Sequence, residues 1–169
     1  MPSPTVVLTE VVRSGRVESR HVGAAVVVDA GGRVLAAAGS PTLATYLRSA
    51  AKPFQLLAML EHDLESVVPL RPEELAICAA SHGGEPDHVR VVRELLARAG
   101  LVEALLRCGA HWPLEDGARN ALLLEGLSHP LPVHNNCSGK HTAMLLTCSA
   151  NGWPLDTYLQ PDHPLFNRS

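Results

Sequence analysis

The chain has 169 residues, 46% of them hydrophobic, and a formal net charge of −3 with acidic and basic residues interspersed. That is enough apolar material for a folded core, and the mixed charge offers no basic face to nucleic acid or to an anionic membrane. No run approaches the ~20 apolar residues of a membrane helix, and no basic segment followed by an apolar one stands at the start, so a cytoplasmic protein acting on a small molecule is expected. The four cysteines, Cys78, Cys108, Cys137 and Cys148, then read as thiols or ligands rather than a disulfide framework. Cys78 and Cys148 lie in apolar runs and read as packing residues.

Thr5 to Arg13 reads as a strand, Ser14-Gly15-Arg16 as a turn, and Val17 to His21 as a polar edge or ligand-facing segment. Ala24 to Asp29 and Val34 to Ala38 flank a Gly-containing turn, a hairpin pattern. The first forty residues therefore predict antiparallel sheet, which Gly39-Ser40-Pro41 ends.

The stretch Leu47-Arg48-Ser49-Ala50-Ala51-Lys52-Pro53-Phe54-Gln55 puts a hydroxyl and an amine three residues apart before a helix. Pro53 disfavours the α region for Lys52 and suits a first helical position, so the helix is placed at Pro53 to about Glu61, buried on most sides. In a preceding turn of 3₁₀ type, side chains three apart eclipse, and Ser49 and Lys52 project together at a helix N-terminus that favours an anion. A lysine beside another cation, here Arg48, or desolvated, here by Phe54, loses its proton more readily and accepts one from serine. The plainer alternative is a capping serine and a solvated lysine.

Leu75 to Ala80 is apolar and of strand length, and periodicity does not separate strand from buried helix. It runs into Ser81-His82-Gly83-Gly84-Glu85-Pro86, where a hydroxyl and an imidazole beside two glycines let backbone approach a ligand. An ordinary connecting loop is the competing reading. Asp87 to Ala99, with Val89, Val92, Leu95, Leu96 and Ala99 at helical spacing and Gly100 beyond, is the clearest amphipathic helix. Leu101 to Leu106 is expected to continue helically, Cys108 to Leu114 to form a loop in which His111 and Trp112 line a pocket or anchor on the core, and Asn120 to Leu127 to be a helix.

His134-Asn135-Asn136-Cys137-Ser138-Gly139-Lys140-His141-Thr142 precedes an apolar helix over 143–150 and is denser in polar groups than a helix start requires. His134, Cys137 and His141 carry donors that zinc accepts, although their spacing matches no common zinc pattern. Ser138-Gly139-Lys140 lacks the first glycine and the final Ser/Thr of a phosphate loop, which argues against a nucleotide.

Together, the segments 48–55, 80–86, 108–114 and 134–141 resemble, in order, the L-asparaginase II family of the thermolabile rhizobial type. The resemblance runs from about Val17 to His163. It implies an α+β fold, an antiparallel sheet with packed helices similar to the serine β-lactamases and penicillin-binding proteins, and hydrolysis of L-asparagine to aspartate and ammonia by a homodimer. By the same resemblance Ser49 and Lys52 form one Ser-Lys tandem with Arg48 beside it, Ser81 belongs to a second tandem, and Cys137 and Lys140 match two ligands of a zinc ion. Family members are about twice this long, so the chain is expected to be the N-terminal portion of a single domain whose second half supplies the lysine partner of Ser81 and another zinc cysteine. Two rival readings are a penicillin-recognising acyl enzyme, which needs a Lys-Thr-Gly strand not found here, and a non-catalytic half-domain that requires a partner chain.

Overall fold

The computed structural model describes residues 3–166. The fold is α+β, with two small antiparallel sheets and five α-helices, and it divides into two compact units, Met1–Tyr46 and Leu47–Ser169.

The first unit is two hairpins. β1 (Val6–Arg13) pairs antiparallel with β2 (Arg16–Gly23), Arg13 facing Arg16 across a two-residue turn. Ser14 and Gly15 both have positive φ (50° and 77°), the type I′ geometry whose twist matches paired strands. Glu10 and Arg20 are register partners, and the Arg20 Nε donates to Glu10 at 2.7 Å. β3 (Ala25–Val28) pairs with β4 (Val34–Ala38) through a turn that Asp29 organises, its carboxylate accepting from the amides of Gly31 and Arg33 and from the Arg33 guanidinium.

The second unit is helical. A 3₁₀ turn over Arg48–Ala51 runs directly into α1 (Lys52–Leu60), so the helix starts one residue before Pro53. The expectation that this helix is buried on most sides is corrected. Only Lys52, Leu56 and Met59 are buried, one stripe at i, i+4 and i+7, whereas Phe54 and Leu57 are 65% and 58% exposed. The ambiguous run at 75–80 is the body of α2 (Pro72–Ala79), which opens with Pro72 in its first turn and the Glu74 carboxylate accepting from the Arg71 amide at 2.8 Å.

α3 (Pro86–Arg98) buries Val89, Val91, Val92, Leu95 and Leu96. It ends in a Schellman motif, Gly100 at φ 68° donating to Ala97 O and Leu101 donating to Leu96 O. The helical continuation expected over 101–106 reduces to a 3₁₀ turn at Glu103–Leu105. α4 (Asp116–Leu124) begins earlier than its apolar pattern suggests because the Glu115 carboxylate accepts from the Ala118 amide at 2.6 Å and caps the first turn.

α5 (Ser138–Ala150) starts five residues before the apolar run at 143–150 and is buried from Ser138 to Cys148 except at Lys140. It is the central helix of this unit, with α1, α2 and α3 against it. Gly139 is what lets α2 approach: a Cβ there would lie 2.2 Å from the Ile77 carbonyl oxygen. No helix among the described residues is long and apolar enough to cross a membrane.

Candidate active site

Three segments converge where α2 ends, α1 begins and the chain turns into α5. Lys52, in the first turn of α1, is 3% exposed. Its Nζ donates to Ser81 Oγ at 2.6 Å, to Ala80 O at 2.8 Å and to Asn136 O at 3.3 Å. An ammonium has three protons, and three acceptors are present. Because two are carbonyls that can only accept, the remaining position faces Ser81 Oγ, and a neutral Lys52 presents its lone pair there. The pair is thus oriented for proton exchange along one direction, between Lys52 Nζ and Ser81 Oγ.

Ser81 is exposed above this buried amine and opens onto a cleft of about 690 Å³ between α2 and α3, lined by Ile77, His82, Asp87, His88 and Arg90 among others. The volume falls in the range of small-molecule sites. His82, 5% exposed, fixes the loop behind the serine. Its amide donates to Asn136 O at 3.3 Å, its Nδ1 accepts from the Gly84 amide at 3.2 Å, and its Nε2, which therefore carries the proton, donates to Ser138 Oγ at 2.9 Å. Burial, with the charges of His88 and Lys52 added, pushes this imidazole down to about 4, so it is neutral at pH 7 and serves as a brace. Gly84 has φ 81°, and a Cβ there would stand 2.8 Å from His134 O and 2.9 Å from Pro113 Cα.

Ser49 lies in the 3₁₀ turn before α1 and is exposed, and its hydroxyl makes no hydrogen bond among the described residues. The turn therefore brings Ser49 and Lys52 within three residues of each other but sends the amine inward to Ser81. Arg48, also exposed, has φ 51°, a left-handed conformation uncommon for a residue with a side chain.

At the start of α5, Cys137 and Lys140 are half-buried and one helical turn apart. The buried Asn135 side chain accepts from the Cys137 amide at 2.8 Å and donates to Cys108 O and Gly109 O at 2.8 and 3.1 Å, clamping the 108–110 loop to the helix start. The Cys108 thiol, pushed up to about 11 chiefly by burial, feels the charges of both Cys137 and Lys140. His134 and His141 do not join them. His134 Nδ1 accepts from the Leu131 amide at 3.3 Å, and His141 Nδ1 is 2.8 Å from the Tyr158 hydroxyl, which also accepts from the Arg107 amide.

A model of the family described as L-asparaginase II matches residues 9–169, across both units. The chain belongs to the L-asparaginase II family. A search of individual curated proteins gave no match.

For this family member, the contact that sequence reasoning missed is the one between Lys52 and Ser81, 29 residues apart. Local spacing joins Lys52 to Ser49, and no pattern in the chain announces a partner in the loop after α2. Asn136 and Ala80 were also missed, since they act through backbone carbonyls. The zinc donors implied by resemblance, Cys137 and Lys140, stand one helical turn apart, whereas the Cys108 thiol is engaged with Pro132 O at 3.2 Å and held protonated chiefly by burial. Among the described residues, no three of His, Cys, Asp and Glu gather into a metal-binding group.

Proposed function

We propose that the chain carries the site of an amidohydrolase that converts L-asparagine to L-aspartate and ammonia, with Ser81 as nucleophile and Lys52 as its base. Membership of the L-asparaginase II family supports the reaction class, and the 2.6 Å contact between Lys52 Nζ and Ser81 Oγ carries the assignment of the pair. Ser81 Oγ attacks the side-chain amide carbon while neutral Lys52 takes its proton. The tetrahedral intermediate collapses as Lys52 returns that proton to the leaving nitrogen, releasing ammonia and leaving an aspartyl ester on Ser81. Water, deprotonated by the same amine, then hydrolyses the ester.

Lys52 keeps its aim throughout, because the Ala80 and Asn136 carbonyls hold its other two N–H groups. Ser49 and Arg48 stand on the turn leading into Lys52. The cation of Arg48 stabilises negative charge on the substrate. Zinc held by Cys137 and Lys140, as the resemblance implies, would supply a positive charge that positions the substrate. A β-lactamase-like arrangement and a cytoplasmic homodimer belong to the same proposal and rest on the resemblance.

The test is ammonia release from asparagine by the protein and by Ser81→Ala and Lys52→Ala. Each substitution is expected to lower kcat at least a thousandfold, since the two residues act as one unit. Near-normal turnover by Ser81→Ala would remove Ser81 from the mechanism. Replacing Cys137 by Ser should lower the zinc content measured by mass spectrometry, and equal stoichiometry would count against Cys137 as a ligand.

A further inference from the structure

On the other side of α3 from the Ser81 cleft lies a second cavity. It is a crevice of about 410 Å³ between α3 and α4, walled by Pro86, Val89, Ala118 and Leu122 with His134 among its lining residues. His134 is 4% exposed. Its Nδ1 is the acceptor for the Leu131 amide, so Nε2 carries the proton, and that N–H has no partner among the described residues. Among the described residues the only fully enclosed side-chain nitrogen or oxygen without a partner is His88 Nδ1. His134 Nε2 therefore keeps accessible surface although its residue is almost wholly buried, and the imidazole feels the charge of Arg93, another residue of the crevice lining.

The charges around the crevice choose what can enter. Arg90 is held by Asp87 and Glu94, and Arg93 by Glu103 at 2.8 Å, so both cations are already compensated, and Glu125 adds a carboxylate to the lining. An anion meets carboxylates and no free positive charge there, and the His134 Nε2–H, being a donor, gives a cation nothing to bond. We propose that the crevice binds an uncharged, largely apolar small molecule bearing one carbonyl, which accepts from His134 Nε2–H while the apolar body packs on Val89, Ala118 and Leu122. This site is separate from Ser81 and Lys52, and the inference does not depend on the reaction assigned to them.

Benzamide is a suitable probe, with benzoate as its charged counterpart and toluene as the same body without an acceptor. Titration of the ¹⁵N-labelled protein, followed by amide and imidazole chemical shifts, should show saturable benzamide-induced changes confined to residues 86–93, 118–122 and the His134 ring, with toluene and benzoate binding more weakly. His134→Asn removes Nε2–H but places its side-chain oxygen near the Nδ1 position, where the Leu131 amide is satisfied. Benzamide affinity should fall about tenfold while toluene is unaffected. Ala121→Phe, which fills the crevice from α4 and leaves His134 in the sequence, should abolish binding of both, and it decides the matter if His134→Asn proves unfolded by its spectrum. Benzoate binding more tightly than benzamide, shifts elsewhere in the protein, no saturable shift, or unchanged affinity in a folded His134→Asn would each overturn the proposal.

Discussion

Lys52 is a buried amine whose three partners come from two other segments, the end of α2 with the loop after it and the turn into α5, and its loss has a structural consequence as well as a chemical one. Lys52→Met keeps most of the apolar stem but leaves Ala80 O without its donor and Asn136 O with the His82 amide alone, and it should lower unfolding stability by about 1–3 kcal/mol in a urea titration. Ser81→Ala removes an exposed hydroxyl whose place beside Lys52 Nζ water from the cleft can take, so it should cost less, about 1 kcal/mol or under. Such a contrast separates loss of chemistry from loss of fold. The two buried imidazoles predict a pH dependence. His82 and His141 are both held at about 4, mainly by burial, with Lys52 and a second cationic group adding to each. A histidine depressed in the folded state binds its proton more readily when unfolded, so the unfolded chain takes up protons first. Stability is then fully present above about pH 6.5 and is lost as pH falls from there toward 4. Urea midpoints measured from pH 7.5 to 4.5 should fall steadily, and a flat profile across that window would show that neither ring is neutral and buried in the native state.

α5 is the element against which the others are set, and Gly139 is where that setting is tightest. The Cβ of Gly139→Ala would stand 2.2 Å from the Ile77 carbonyl oxygen and 2.7 Å from its carbon. Both are backbone atoms, so α2 must move as a body. We predict a destabilisation of about 3 kcal/mol by thermal or urea unfolding, with kcat lowered as well because α2 carries Ala80 and leads into Ser81. Gly84→Ala, at φ 81° and against His134 O, should act on the Ser81 loop in the same direction. The elements themselves were legible in proportion to how local their causes are. The turn at Ser14-Gly15 and the Schellman end of α3 at Gly100 are set by neighbouring residues and could be read directly, and Pro53 places the start of α1 to within one residue. The exposure of Phe54 and Leu57, the early start of α5 and the pairing of Lys52 with Ser81 depend on packing between distant segments, which periodicity does not encode. Gly139 looked like part of a phosphate-loop fragment. Its reason is instead the close approach of α2.

At the scale of the whole molecule, the two units differ in what holds them. The helical unit has a core that includes Leu64, Val92, Leu95, Val133, Leu145 and Tyr158, each with essentially no exposed surface. The hairpins of Met1–Tyr46 have no buried hydrophobic residue among those described, and Val7, Val12, Val22, Val27 and Leu35 are 50% to 64% exposed. Two-stranded ribbons are marginal alone, so amides of β1 to β4 should exchange with solvent much faster than those of α5. Uniform protection across both units would contradict that division. The same exposed apolar strands and open edges favour association, and the apparent mass by light scattering should rise with concentration. The proposed reaction ties these scales together through one covalent step. The most direct measurement is rapid acid quench of the protein turning over asparagine, followed by peptide mapping by mass spectrometry. An aspartyl ester on the peptide containing Ser81, absent in Ser81→Ala, is the predicted result. An ester on the peptide containing Ser49, with Ser81 unmodified, would contradict the assignment of the Ser81–Lys52 pair.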